Sequence, residues 1–336
     1  MIDVAVDARV TRRMSLGVRA YVRELLERLP HAAPDLRIAS VGHGENFGLR
    51  EQFGLPREIA RSGAKMAHFP TTYAPLLRRR PYALTVHDLI HLRFPQLFGP
   101  ATALHYRLVG GPLARGAARL LVGDERTVAD CQRFLGVDPE RCRVVPLGYD
   151  PAVLETGPPL VVDTPYFFYA GNHKPHKNLA TLYAAWAALP SGVAIDLRIT
   201  GRPDPQVARH FARTNGRVIF TGYLDSARLR EHYRAALAYV HPALVEGFGI
   251  PMLEAAVVGT PVVASTGAIS TVVAPFASTF AAADIDALAA LLGDLVRDPA
   301  PYRARAAEGS ATLRAYTWDR FAAGTAAVYR EVIECS

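Results

Sequence analysis

The chain has 336 residues, half of them hydrophobic, 9% aromatic and 21% charged, with a net charge of +7. That length exceeds one comfortable core and suits two domains, and the composition excludes a disordered or fibrous chain. No apolar run reaches the roughly 18–20 residues of a membrane span, and the acidic opening Met1-Ile-Asp-Val-Ala-Val-Asp7 does not read as a signal peptide.

From the N-terminus, strand-like apolar runs at 2–6, 36–41, 65–69, 82–87, 119–123 and 143–146 alternate with helical patterns at 15–29, 100–116 and 126–135. This alternation predicts a doubly wound parallel sheet. Across 148–165 the pattern lapses into Pro, Gly, Asp and Thr, which reads as a linker. A second alternation follows, with strands at 166–170, 194–200, 217–221, 238–241 and 261–264. Its helices fall at 178–188, 205–213, 226–236, 251–258 and 284–297, and helical patterns at 302–316 and 318–334 close the chain. The expected architecture is α/β: two Rossmann-like doubly wound parallel-sheet domains facing a central cleft, with ligands at the carboxyl edges of the sheets.

A basic chain suits nucleic acid, anionic membrane or anionic small molecules. No aromatic-interleaved basic run or DNA-binding motif is present, so nucleic acid is not an expected partner. Arg12-Arg13 and Arg78-Arg79-Arg80 fall in loops of the first half. They suit phospholipid headgroups or a phosphorylated acceptor, and solubility explains them equally well. Cys131, Cys142 and Cys335 are odd in number and lack CxxC spacing, which points to reduced thiols in a cytoplasmic protein rather than a disulfide frame or zinc site.

The chemistry concentrates in Glu246-Gly-Phe-Gly-Ile-Pro-Met-Leu-Glu254, between the strand at 238–241 and the strand at 261–264. Gly247 and Gly249 permit a tight turn and close backbone approach, and Pro251 suits the first helical turn. The free amides of that first helical turn form an anion site backed by the helix dipole. Carboxylates repel phosphate and accept from hydroxyls, so Glu246 and Glu254 would address sugars while the amides and a cation address phosphates. Glu in a first helical turn is also common simply because it complements the dipole.

Four other stretches line up with this one. Tyr169-Ala-Gly-Asn-His-Lys-Pro-His-Lys-Asn178 ends a strand with Lys174, Lys177, His173 and His176. Lys177 is a point charge suited to phosphate, and Asn178 is a candidate helix N-cap. His87 and Asp88 close the strand at 82–87, which places an imidazole at the expected cleft. Asp88 either holds the loop or contacts an acceptor, and His91 is structural or acceptor-side. Gly17, at a helix start after the first strand, offers amides near the cleft. Gly222-Tyr223 offers an aromatic for a nucleobase or a simple packed turn. Asp284-Ile-Asp286 looks like a metal-binding DxD but precedes an amphipathic helix, so it reads as an N-cap, and no metal is expected.

Together these residues resemble the retaining glycosyltransferases of family 4, of bacterial mannosyl- and rhamnosyl-type, over nearly the whole chain. The most specific matches are Glu246–Glu254 with Gly259-Thr-Pro-Val-Val-Ala-Ser265, Lys177-Asn178, His87-Asp88 and Val144-Val-Pro-Leu-Gly148. The resemblance implies the GT-B fold, with an acceptor-side domain over 1–155, a nucleotide-sugar domain over 156–317, and the last helix, about 318–336, crossing back to the first domain. It implies that Glu254 bonds the donor ribose and that Glu246 lies near the donor sugar. The amides of Phe248–Ile250 would hold sugar hydroxyls, Lys177 would neutralise the diphosphate, His87 would approach the donor sugar, and Gly17 would lie near the phosphates. Both usual arginine positions depart from the pattern: His176 stands at one and Asn172 at the other. Thr271 replaces a usual glutamate.

The expected function is transfer of a hexosyl unit, with GDP-mannose the first donor to consider, to a glycan, lipid-linked glycan or small-molecule hydroxyl. The nucleotide sugar is a substrate and no cofactor is expected. Peripheral contact with the inner face of an anionic membrane would suit a lipid-linked acceptor. The alternatives are a sugar-nucleotide epimerase of the same fold and a non-catalytic sugar-nucleotide-binding protein. A dinucleotide oxidoreductase is disfavoured because no GxGxxG follows the first strand.

Overall fold

The central apolar runs become strands whose side chains are buried throughout. Val4, Ala5 and Val6 are fully buried, as are all four residues of Tyr166-Phe-Phe-Tyr169. Continuous burial is what a parallel sheet covered on both faces requires, and each fully buried Phe of this kind stabilises by about 1.5–3 kcal/mol. The structure is a computed structural model and describes residues 2–9, 14, 16–42, 49–76, 80–190, 192–203 and 216–335. The helix expected at 205–213, and Arg12, Arg13, Arg78 and Arg79, lie outside the described residues.

The chain divides into two units, Met1–Gly148 with Tyr316–Ser336, and Tyr149–Ala315. In the first, β1 (Val4–Asp7), β2 (Ile38–Val41), β3 (Met66–Phe69), β4 (Tyr82–Val86), β5 (Arg119–Val122) and β6 (Cys142–Val144) pair in the order β2-β1-β3-β4-β5-β6. In the second, β7 (Tyr166–Tyr169), β8 (Asp196–Ile199), β9 (Val218–Phe220), β10 (Ala238–His241), β11 (Val262–Ser265) and β12 (Ser278–Phe280) pair in the order β12-β11-β10-β7-β8-β9. Every pairing is parallel. Each sheet is the doubly wound kind expected from the sequence. The winding reverses between β1 and β3 and again between β7 and β10. At such points the outgoing loops part and leave a crevice at the carboxyl edge.

The division falls at Gly148–Tyr149, ahead of the expected boundary at 155/156. The reason is that the linker docks on the second unit. Pro151–Leu154 is a short helix, and Arg230 and Arg234 of the Ser226–Ala235 helix donate to the Val153, Leu154 and Glu155 carbonyls at 3.0, 3.2 and 3.0 Å. The last helix, Trp318–Glu334, belongs to the first unit. It is capped by Thr317, whose hydroxyl accepts from Arg320 N at 3.2 Å, and its Glu331 receives Arg119 at 2.7 Å and Arg143 at 2.9 Å.

Three other expectations change. A helix at Leu49–Ser62 was not expected, although its apolar residues keep a helical period; Gly54 and Pro56, ordinarily helix breakers, lie inside it. The helices expected at 100–116 and 126–135 contain π-helical turns at Tyr106–Gly110 and Cys131–Leu135, which insert a residue and shift the buried face. Finally, β12 has only three residues and carries too little pattern to read. The three cysteines are free thiols. Among the described residues, no helix is long and apolar enough to cross a membrane.

Candidate active site

The second unit's switch point brings the ends of β7 and β10 side by side, with Ala238 opposite Phe167 and Tyr239 opposite Phe168. The loops leaving them are stitched together. After β7 the chain makes a tight turn at Pro175–Lys177, and Asn178 then takes the left-handed conformation at φ 53°. Asn tolerates that region better than other side-chain-bearing residues. Asn178 takes the N-cap position of the following helix, Leu179–Ala187, as the sequence had suggested, but its side chain makes no capping bond. Its amide donates instead to Ala282 O at 2.7 Å and Pro242 O at 3.2 Å, while Thr181 donates to its carbonyl at 3.0 Å. Leu244 N donates to His176 O at 2.8 Å. The loops after β7, β10 and β12 are therefore tied together.

That stitching delivers Lys177 to Glu246. The two form an ion pair through Lys177 Nζ and Glu246 Oε2, with side chains 9% and 18% exposed. His241, the last residue of β10, reaches the same oxygen through Nε2 at 3.1 Å. Behind it, the Tyr239 hydroxyl lies 3.0 Å from His241 Nδ1 and 3.1 Å from Ala170 O. Burial alone would raise the Glu246 carboxyl, but the Lys177 cation and the His241 hydrogen bond outweigh it and hold it well below the usual carboxylate range. Burial lowers His241, against the pull of Glu246. The site at rest is thus a carboxylate flanked by an ammonium and a neutral imidazole.

Gly249 sets the helix start. Its φ is 81°, and a Cβ there would stand 2.1 Å from Met252 Cε and 3.3 Å from Glu246 Cγ. The Ile250–Val257 helix opens directly after it, with Pro251 in the first turn and Met252 N donating to Gly249 O at 2.9 Å. Gly247 and Phe248 are buried beneath this turn. Glu254 lies one turn in and accepts from Tyr233 Oη at 3.1 Å. Burial pushes its carboxyl up to about 7, and the Tyr233 bond only partly opposes this. Tyr233 packs edge-on against Tyr239 at 5.7 Å, so the surroundings of the two glutamates adjoin.

The other expected donor-side residues scatter around this centre. His176 is buried under its loop, while Asn172 is exposed and its side chain accepts from Lys174 N at 3.2 Å. Gly222 (φ 74°) pairs its backbone with Gly201, and Tyr223 beside it is 79% exposed, a bare ring rather than a packed one. Asp284 caps the Ile285–Arg297 helix, accepting from Ala287 N at 2.9 Å. Among the described residues no group of three or more His, Cys, Asp or Glu side chains is placed to hold a metal ion.

The first unit holds the rest. His87 follows β4 and donates from Nε2 to Pro70 O at 2.9 Å, which leaves Nδ1 as the acceptor nitrogen. Burial drives its pKa down to about 4 despite that bond, so the ring is neutral at pH 7. Tyr21 packs edge-on against it at 4.8 Å. Asp88 Oδ1 accepts from Ile90 N at 3.2 Å, and His91 packs against Phe98 at 4.2 Å and Tyr106 at 5.9 Å. Gly17 is the second residue of the Leu16–Ala32 helix and is exposed, with open space where a Cβ would go.

Sequence reasoning passed over His241, Tyr239 and Tyr233. One signal was available for His241: it ends an apolar strand at a carboxyl edge, the argument that singled out His87, and it precedes Glu246 by five residues.

Comparison with known proteins gives the family. The profile of the family "Glycosyl transferases group 1" matches residues 157–312. An MMP alpha-(1->4)-mannosyltransferase from Mycolicibacterium hassiacum is 30% identical over 230 residues, covering 66% of this chain and 56% of that protein. An alpha-maltose-1-phosphate synthase from Mycolicibacterium smegmatis is 31% identical over 294 residues, covering 77% of this chain and 75% of that one. The chain spans about half to two thirds of the length of several curated relatives it matches. The solved structure of sucrose-phosphate synthase (tll1590) from Thermosynechococcus elongatus superposes with a TM-score of 0.77 at 21% identity, covering all of both chains.

Proposed function

Because this chain belongs to the group 1 glycosyl transferases, we propose that it moves a hexosyl unit from a nucleotide-diphosphate sugar to an acceptor hydroxyl with retention at the anomeric carbon. The observation that carries the reading is the convergence of Lys177, Glu246 and the Gly249–Ile250 helix start at the carboxyl ends of β7 and β10. A cation and helix-start amides suit a diphosphate, and carboxylates beside them suit sugar and ribose hydroxyls.

As the glycosidic bond to the leaving phosphate breaks, negative charge grows on the phosphate oxygens. Lys177 and the first-turn amides stabilise that charge where it develops. The acceptor oxygen bonds to the anomeric carbon, and its proton passes to the departing phosphate. Glu254 receives the ribose, and exposed Tyr223 offers a face to the base. In the first unit, neutral His87 presents Nδ1 to a sugar hydroxyl. The reaction so written calls on no metal or cofactor, and a chelator is expected to leave its rate unchanged.

GDP-mannose is the first donor to test, in line with the mannosyltransferase relative. The acceptor is a glycan, a lipid-linked glycan or a small molecule. A lipid-linked acceptor would place the protein in the cytoplasm at the inner membrane face. The test is a thermal-shift screen of nucleotide sugars, followed by transfer and hydrolysis assays. Lys177→Ala should lose at least about tenfold in kcat/KM, since a charge-assisted hydrogen bond is worth about 1.5–3 kcal/mol. Binding of every nucleotide sugar by Lys177→Ala and Glu254→Ala as tightly as by the parent would overturn the assignment.

A further inference from the structure

We propose that His241 is a positioning residue that anchors Glu246 and becomes its sole partner when a donor diphosphate draws Lys177 away. The proposal rests on the donor-site reading above. Lys177 Nζ and His241 Nε2 both meet Glu246 at Oε2, so the carboxylate has two partners on one oxygen. A diphosphate carries more negative charge than one carboxylate and competes for the same ammonium. If Lys177 were the only partner, moving it would strand a buried carboxylate, which is costly, and the lysine would stay where it is. A second partner that remains in place removes that obstacle.

The surroundings of His241 are built to keep it there. The residue is 1% exposed at the end of β10. The Tyr169 and Tyr239 rings lie near-parallel to it, at 6.2 Å and 21° and at 6.0 Å and 28°. Its tautomer follows from its partners. Nε2 faces a carboxylate and carries the proton, which leaves Nδ1 of the neutral ring as an acceptor beside the Tyr239 hydroxyl, whose one proton is shared between Nδ1 at 3.0 Å and Ala170 O at 3.1 Å. His241 therefore donates to Glu246 with Tyr239 braced behind it, and of the two partners of Glu246 only Lys177 carries a charge to redeploy.

Isothermal titration with GDP and with UDP tests this on the full chain. We compare the parent, His241→Phe, His241→Gln, Tyr239→Phe and Lys177→Ala. Gln presents a side-chain N–H near the place of Nε2, whereas Phe keeps the ring and removes the donor. His241→Phe is expected to weaken nucleotide binding roughly ten- to hundredfold, the scale of one hydrogen bond to a charged group. His241→Gln should recover most of the loss, and Tyr239→Phe should lose less than His241→Phe. If His241→Phe does not fold, the Gln and Tyr239→Phe variants carry the comparison, with Tyr239→Phe then expected to bind more weakly than both the parent and His241→Gln. Parent-like binding by His241→Phe, or by Tyr239→Phe in that second case, overturns the proposal. Equally weak binding by His241→Phe and His241→Gln also overturns it, because the N–H then has no role. Nucleotide binding that is absent in the parent, or indifferent to Lys177→Ala, instead removes the donor-site reading itself.

Discussion

Tyr329 of the last helix and His68 of β3 meet at 2.6 Å through the phenol oxygen and Nδ1, although 261 residues separate them. His68 Nε2 continues to Thr85 Oγ1 at 2.8 Å, and Thr85 meets the Tyr21 hydroxyl at 2.8 Å. Tyr21 is the ring that abuts His87. A buried polar chain therefore runs from the C-terminal helix, through the centre of the first sheet, to the candidate histidine. Burial drives His68 down to about 3, so it bridges as a neutral ring.

Removing one end of that chain leaves a buried ring nitrogen unpaired. Tyr329→Phe is expected to destabilise the first unit by about 1–3 kcal/mol, read as a lower denaturation midpoint in urea. Nucleotide binding, which is assigned to the second unit, should be unchanged by calorimetry.

Asn178 separates backbone conformation from side-chain bonding. Asn178→Gly keeps the left-handed φ and loses the bonds to Ala282 and Pro242. Asn178→Ala loses the same bonds and also carries a Cβ into that region, at a further cost of about 1–2 kcal/mol. Thermal melts should rank parent above Gly above Ala, and equal Gly and Ala variants would refute the strain argument.

Gly148 marks where the chain leaves the first unit. A Cβ there would lie 2.2 Å from the backbone of Thr317 and Trp318, and main chain cannot step aside as a side-chain tip can. Gly148→Ala is expected to cost about 1–3 kcal/mol by overpacking. Limited proteolysis should then release the C-terminal helix more readily than in the parent.

Glu254 predicts a pH dependence. Its folded pKa of about 7 exceeds the ordinary 4.5, so between those values the folded protein holds a proton that the unfolded chain has released. The stabilisation is complete below about pH 4.5 and is lost as pH rises through about 7, up to about 3 kcal/mol. Unfolding free energies are compared from pH 4 to 8 in the parent and Glu254→Gln, because the depressed pKa values of His68 and His87 add an opposing rise with pH to both proteins. Glu254→Gln should flatten this component, and an unchanged slope would mean that the carboxyl is not the group responsible.

The parts of the candidate site carried by one short stretch of chain were legible in the sequence. Glu246, Gly249 and Glu254 lie within nine residues of one strand-to-helix turn, and Lys177 and His87 each follow a strand. Alternating apolar runs likewise announced two parallel sheets, because burial on both faces leaves a continuous hydrophobic signature. Pairings across the sheets were not legible. That Lys177 meets Glu246, that His241 and Tyr239 stand behind them, that the Asn178 side chain ties three loops instead of making a capping bond, and that Gly148 abuts Thr317 all depend on which strands lie side by side. Strand order is a property of crossovers between distant segments, and no local period records it. The sheet edge that brings these groups together also excludes water from them: burial raises Glu254, whereas at Glu246 the Lys177 cation and the His241 hydrogen bond overcome burial and lower the carboxyl.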